Sequence, residues 1–389
     1  MRVMITTSPG IGHIFPSIAT AWALRAAGHD VILATGGNHD LVANAGLHVV
    51  DTAPGVDFVP VFRAFMYEHS MSEQSTTFAQ TAFGRGKANP SPEDIDAGLD
   101  MAARLFAVVS AKFTDETVRL VRRWHPDLVI HTLLQAVGPL AATIDGVPSV
   151  VHTVGIAQPP ALWQRLAFHF AGEYERVGVR PPTPAAVLDV SPPSLRAPDS
   201  DGWSMRYVPY NGGAVLPGWL DEPRSRPRVT VTLGSVVPQM GGVAALTPFL
   251  RAAGSVDADF VVTLGGADPA AFGDVPDNVR LLAWVPLGAL LAGSDAVIHH
   301  GGSGTTLTAL NAGLPQYVLP QGADQFQNAE IVAKSGAGAV VTPTDLDADR
   351  LGELVADTPM RGAAQAISAE MATQPTPADL VPDLIALAR

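Results

Sequence analysis

The chain reads as an α/β protein of two Rossmann-like, doubly wound domains. Three observations carry that reading. Short apolar strands alternate with helical stretches from residue 2 onward, the spacing of right-handed βαβ crossovers. The alternation restarts at Arg228 after a stretch broken by Pro and Gly. A length of 389 residues also suits two domains better than one.

The elements follow in order. Residues 2 to 7, RVMITT, form a buried strand, SPGIGHIFP a Gly-rich turn, and Ser17 to Ala27 a helix closed by Gly28-His29. Val31–Thr35 and Leu47–Val50 are the next strands. Gly10-x-Gly12 opens like a dinucleotide fingerprint, but no third glycine follows and VILATGG ends without the acid that would hold a ribose. Residues 52 to 100, rich in Phe, Met, Ser and Pro, read as an irregular binding loop. Helices are expected over Leu99–Arg123, Gln135–Ile144 and Trp163–Val177, with strands at Leu128–Ile130 and in GVPSVVH. The interdomain linker is placed at Leu216–Pro227. Strands then recur at Arg228, Phe260–Leu264, Val279–Leu282, Ala296–Ile298 and Gln316–Leu319, and Pro377–Ala388 reads as a terminal helix. The expected domains are 1–215 and 228–375, with 376–389 as the terminal helix.

Composition narrows the function. Zero cysteines exclude disulfides, cysteine–zinc sites and thiol catalysis. No apolar run reaches the roughly 18 residues of a membrane span, and MRVMITTSPG lacks the h-region of a signal peptide, so a cytoplasmic chain is expected. A formal net charge of −13 argues against nucleic-acid and anionic-membrane partners.

The most informative stretch is 295 to 328, DAVIHHGGSGTTLTALNAGLPQYVLPQGADQFQN. An apolar strand runs into His299-His300, then Gly301-Gly302-Ser303-Gly304 opens a helix with Thr305 and Thr306. Backbone N–H groups at a helix N-terminus, glycines that admit a ligand and nearby hydroxyls together suit an anion. Asp324-Gln325 stand at the next strand end, where open α/β sheets bind ligands. GGSGT lacks the last glycine of a nucleophile elbow, and no Walker loop or HExxH occurs.

HHGGSGTTLTALNAGLPQ followed by P-x-x-x-D-Q resembles the donor signature of family 1 glycosyltransferases. Within their bacterial natural-product branch, the chain is most similar to the calicheamicin-type enediyne glycosyltransferases, over nearly its whole length. That resemblance implies a GT-B fold, the two domains facing each other across a cleft, and inverting transfer of a deoxysugar to a hydrophobic polyketide or enediyne-like aglycone. It also implies that 1–215 binds the acceptor, that 228–375 binds the nucleotide sugar, and that the terminal helix crosses back onto the N-terminal domain. The nucleotide sugar would be a co-substrate; no cofactor and no metal are expected. The partners are then an aglycone and a sugar nucleotide, with a homodimer as the assembly to test.

By its residues His13 is either a general base or a helix cap; the resemblance favours the base, since similar enzymes carry it in this Gly-x-His turn. Relatives place an acid after the strand Leu128–Ile130, whereas here His131-Thr132-Leu133 stand there. Gly12, Phe65, Met66 and His131 are the acceptor-side candidates. For the donor, the resemblance puts His299, Ser235 and the turn from Gly301 through Gly302, Ser303 and Gly304 to Thr305 on the diphosphate, with His300 in packing. It puts Asp324 and Gln325 on the sugar, the Trp284 ring against the base, and the Val285 backbone beside it. Uridine-dependent relatives hold the ribose with a glutamate eight residues after the phosphate histidine; counting from His299 gives Leu307, which favours thymidine. Two rivals remain: a sugar-nucleotide epimerase of the same architecture, and a non-catalytic partner that activates a transferase.

Overall fold

The structure, a computed structural model, describes the chain apart from residues 71–91, 157–159, 198–199, 235–245, 267, 273, 323 and 389. It separates into two compact units. The first holds Met1–Ser191, Arg196–Gly212 and Gln374–Arg389, and the second Pro192–Leu195 and Gly213–Thr373.

In the first unit the strands are β1 (Arg2–Thr6), β2 (Asp30–Thr35), β3 (His48–Asp51), β4 (Leu128–Thr132), β5 (Ser149–His152), β6 (Ala186–Asp189) and β7 (Trp203–Ser204). They form a parallel sheet in the order β3-β2-β1-β4-β5-β6-β7. The helices are α1 (Ile11–Ala26), α2 (His39–Asn44), α3 (Phe58–Ser70), α4 (Pro92–Ala111), α5 (Thr114–Trp124), α6 (Val137–Asp145), α7 (Pro160–His169) and α8 (Ala171–Val177). All five residues of β4 are buried, which explains its continuous apolar start. The strand order reverses between β1 and β4, so the turn after β1, which leads to His13, lies at a topological switch point.

Three expectations change here. α1 begins at Ile11, not Ser17, and encloses Pro16, so His13 stands in a helical first turn rather than on a loop. Residues 52 to 100 are not irregular throughout: α3 and α4 occupy both ends, while 71–91 lie outside the described residues. Their apolar faces enter one core with Phe65, Ala103, Val109 and Phe113, joined by Leu162 and Leu166 of α7. Two long helices divide into pairs. α4 gives way to α5 at residues 112–113, and α7 to α8 at Phe170, whose ring meets Tyr174 edge-on at 5.7 Å.

The second unit carries β8 (Arg228–Thr232), β9 (Asp259–Thr263), β10 (Val279–Leu282), β11 (Ala296–His299), β12 (Gln316–Val318) and β13 (Gly338–Val340). They pair in parallel in the order β10-β9-β8-β11-β12-β13. Around them lie α9 (Thr247–Ala253), α10 (Leu287–Ala292), α11 (Ser303–Asn311), α12 (Gln325–Lys334), α13 (Ala348–Ala356) and α14 (Thr358–Thr373). The strand order reverses between β8 and β11, which puts the glycine turn after β11 at the second switch point. The stretch expected as a linker belongs to this unit: Trp219 packs under the guanidiniums of Arg228 and Arg280, at 5.0 and 4.3 Å.

The C-terminal segment belongs to the first unit. Arg206 N–H donates to the Pro375 carbonyl at 2.7 Å, and Gln374 Nε2 donates to the Ser191 carbonyl and Ser204 Oγ, each at 3.1 Å. It ends in α15 (Val381–Leu387), shorter than the expected Pro377–Ala388, with Val381 and Leu384 buried. No helix among the described residues is long and apolar enough to cross a membrane.

Candidate active site

In the second unit, β11 delivers the chain into a turn that only glycine can make. Gly301 has φ +86°, and a Cβ there would lie 2.9 Å from Val318 Cγ1 and 3.0 Å from the Gln325 carbonyl. A Cβ on Gly302 would lie 2.4 Å from His300 Nε2. Gly302 is the N-cap of α11, and Thr306 donates to the Gly302 carbonyl with both its N–H, at 2.9 Å, and its hydroxyl, at 3.0 Å. Ser303, Gly304 and Thr305 are half-buried, so the positive end of the helix dipole stands where an anion can reach it.

The two histidines are placed otherwise than expected. His299 is fully buried; its Nδ1 accepts the Gly301 N–H at 3.0 Å, so Nε2 carries the proton and donates to Gln316 Oε1 at 2.8 Å. Both ring nitrogens are used inside the protein, and burial pushes the pKa down to about 4. His300 is the half-buried one. Its ring fits between two glycine turns, since a Cβ on Gly234 would lie 2.6 Å from its Cε1. Desolvation first, then neighbouring His299, lowers its pKa to about 3. The imidazole that reaches both glycine turns is therefore that of His300, while His299 holds the Gly301 peptide from behind.

The next loop is tied to this turn. Ser303 Oγ donates to Asp324 Oδ2 at 2.6 Å, and Gln325 Oε1 accepts the N–H groups of Gln321 and Gly322 at 2.7 and 3.2 Å. Asn328, which sequence reasoning passed over, donates to the Gly301 carbonyl at 2.8 Å and to Asp324 Oδ2 at 2.9 Å. Its signal was available: it stands four residues after Asp324, on the same helix face. Trp284 is 45% exposed, as a stacking platform requires, whereas the Val285 side chain is buried with Val261 and Leu290. Leu307 is a correction: it is 0% exposed inside α11 and offers no surface to a ribose. Ser235 lies outside the described residues.

In the first unit, His13 is half-buried, and its ring meets Phe106 of α4 edge-on at 5.4 Å. Phe106 in turn meets Phe62 of α3 edge-on at 6.5 Å, so an aromatic pair that sequence reasoning did not single out stands beside the histidine. A Cβ on Gly12 would meet nothing within 4 Å, which leaves open space beside His13. Phe65 and His131 are corrected as acceptor contacts, because both are buried. Phe65 lies in the core, and His131 leans on Trp163 at 5.2 Å with its pKa lowered to about 4 by burial. Met66 lies on α3.

Comparison with known proteins now identifies the family. Residues 22–234 match the N-terminal domain of the erythromycin biosynthesis protein CIII-like family, and residues 247–387 match its C-terminal domain. Elloramycin glycosyltransferase ElmGT of Streptomyces olivaceus is 36% identical over 383 residues, 98% of this chain and 96% of its own. The crystal structure of the glycosyltransferase SnogD from Streptomyces nogalater superposes with a TM-score of 0.84 at 41% identity, covering 100% of this chain and 99% of that one. SsfS6 of Streptomyces sp. SF2575, solved with thymidine diphosphate, gives 0.81 at 32% identity over 99% of each chain. With two parallel-sheet units and these neighbours, the chain has the GT-B architecture, belongs to the erythromycin biosynthesis protein CIII-like family and is a glycosyltransferase.

Proposed function

We propose that the chain moves a deoxysugar from a thymidine diphosphate sugar to a hydrophobic polyketide aglycone, with inversion at the anomeric carbon. The observation that carries this is the glycine turn and helix N-terminus at Gly301–Thr305, with Asp324 tied beside it. His13 takes the proton of the acceptor hydroxyl as its oxygen attacks the anomeric carbon. The bond from that carbon to the diphosphate oxygen breaks, and the leaving diphosphate carries the negative charge toward the first turn of α11. His300 stands at that turn as a neutral donor. The nucleotide sugar is a co-substrate, and no cofactor enters the step.

The relatives support the class of substrate. Named functions among them include an elloramycin glycosyltransferase and a 2-deoxy-L-fucose transferase acting on aclacinomycin T. We include enediyne-like acceptors in the same class, following the narrower sequence resemblance. The test is incubation with thymidine diphosphate sugars and a panel of aromatic, macrolide and enediyne-like aglycones, with products read by mass and the anomeric configuration by NMR. Retained configuration would overturn inversion. Conversion of the sugar nucleotide with no acceptor present would favour the epimerase reading instead.

Thymidine is favoured over uridine on two grounds. Relatives have been solved with thymidine diphosphate, and α11, SGTTLTALN, carries no carboxylate to accept from a 2′-hydroxyl. A stranded hydroxyl loses roughly 1–3 kcal/mol, so thymidine diphosphate should bind about ten- to a hundredfold more tightly than uridine diphosphate. Equal affinities by calorimetry would contradict this. Asp324→Ala should raise KM for the sugar nucleotide about tenfold, the worth of one charge-assisted hydrogen bond, and weaken free thymidine diphosphate far less. Equal loss of both ligands would move Asp324 away from the sugar.

A further inference from the structure

We infer that Asn328 is a positioning residue that couples the sugar-binding carboxylate of Asp324 to the diphosphate turn. The inference rests on the donor reading above and deepens it.

Asn328 is completely buried in the first turns of α12. Its amide nitrogen meets three oxygens: the Gly301 carbonyl at 2.8 Å, Asp324 Oδ2 at 2.9 Å and Ser303 Oγ at 3.2 Å. Three acceptors around one atom fix it as the nitrogen. The opposite oxygen, Oδ1, is buried with no hydrogen-bond partner among the described residues. A buried amide that leaves its acceptor unused is retained for its donors. Those donors act on two loops. On one side, the Gly301 peptide sits at φ +86°, its N–H held by His299 Nδ1 at 3.0 Å and its carbonyl by Asn328. The peptide that precedes the anion-facing helix start is thereby fixed from both ends. On the other side, Ser303 and Asn328 both donate to Asp324 Oδ2, which leaves Oδ1 to accept from sugar hydroxyls.

The residue type follows from this arrangement. Aspartate at 328 would set two carboxylates against each other with no proton between them, and an aliphatic residue would strand the Gly301 carbonyl.

The experiment compares wild type, Asn328→Ala, Asn328→Asp, Asp324→Ala and the double variant Asn328→Ala/Asp324→Ala. Thymidine diphosphate affinity is read by calorimetry and KM for the sugar nucleotide by turnover, with circular dichroism on each variant. Asn328→Ala should weaken thymidine diphosphate about tenfold, as expected for loss of a buried hydrogen bond. The KM losses of the two single variants should fail to multiply in the double one. Asn328→Asp should recover donor affinity as pH falls from 8 toward 6, because a protonated carboxyl regains one donor; it supplies the readout if the alanine variant does not fold. Multiplicative losses, or an Asn328→Asp variant insensitive to pH, would reduce Asn328 to a packing residue and overturn the inference. Failure of the wild type to bind thymidine diphosphate would overturn the donor reading itself, and this inference with it.

Discussion

Replacing His13 by alanine should lower turnover by roughly 10²–10⁴-fold, the usual contribution of a positioned general base. Affinity for thymidine diphosphate should change by less than about twofold, because the base acts in the transition state and not on the bound nucleotide. The geometry motivates both halves. His13 stands in the first turn of α1, after β1 in the first unit, with open space at Gly12 and an aromatic ring, Phe106, against it. The glycine turn proposed for the diphosphate is built wholly from residues of the second unit. An imidazole can take a hydroxyl proton at neutral pH. The acid expected after β4 is replaced by His131, which is buried and faces Trp163, so the role does not pass to a carboxylate at that position. A variant retaining more than about a tenth of wild-type turnover would remove His13 from the chemistry, given the usual size of such a contribution. Parallel loss of nucleotide binding and turnover would make it structural.

The strands were readable because parallel strands buried on both faces are continuous apolar runs. β1, β2, β4, β10 and β11 fall within a residue or two of where the pattern puts them. The helix at His13 was misplaced because Pro16 looks like a first-turn proline, a frequent start signal. In the structure it stands six residues into α1. Phe62 was missed because the composition of 52–100 masks the periodicity of α3, and Phe106, inside a stretch read as helix, because its partner His13 comes from the distant first turn of α1. At the turn after β11 the glycine geometry was legible, but which of His299 and His300 is buried was not. Adjacent residues at a strand end point to opposite sides, and only the three-dimensional partners Gln316 and Gly301 show which ring is committed inward. Leu307 followed from counting along the chain from His299; burial on α11 decides its role. Asn328 shows a partial gap: its spacing from Asp324 was local, but its contacts with Gly301 and Ser303 come from a distant turn that no local pattern reveals.

Stability should fall steeply as the pH drops from about 6.5 toward 4, before the protein's carboxylates titrate. Four histidines are held neutral by burial: His131, His152 and His299 with pKa values lowered to about 4, and His300 to about 3. In the unfolded chain each titrates near the ordinary value of about 6.5. Below that pH the unfolded state binds protons that the folded state refuses, so the stabilising contribution is complete above about 6.5 and is lost as pH falls toward the folded values. Two of the four are chemically committed to neutrality. His152 donates from Nδ1 to the Thr153 carbonyl at 2.7 Å, so its Nε2 must accept the Thr20 hydroxyl at 3.0 Å. His299 must likewise accept at Nδ1. Protonation turns each of those acceptors into a second donor facing a donor. Each group contributes about 1.4 kcal/mol per pH unit within its window. Two or three acting together would withdraw roughly 7–10 kcal/mol by pH 4, comparable with a typical total stability of about 5–15 kcal/mol. The carboxylates with lowered pKa, such as Asp100, Asp345 and Asp379, act the other way in position: their contribution is present above the ordinary 3.8 and lost only below it. Denaturant unfolding at half-unit steps from pH 7.5 to 4.5 separates the two sets. Stability should decline from about pH 6.5, and His152→Gln should flatten the decline by about one proton's worth. A midpoint that holds constant down to pH 5 would show that these histidines are solvated or charged in the folded protein.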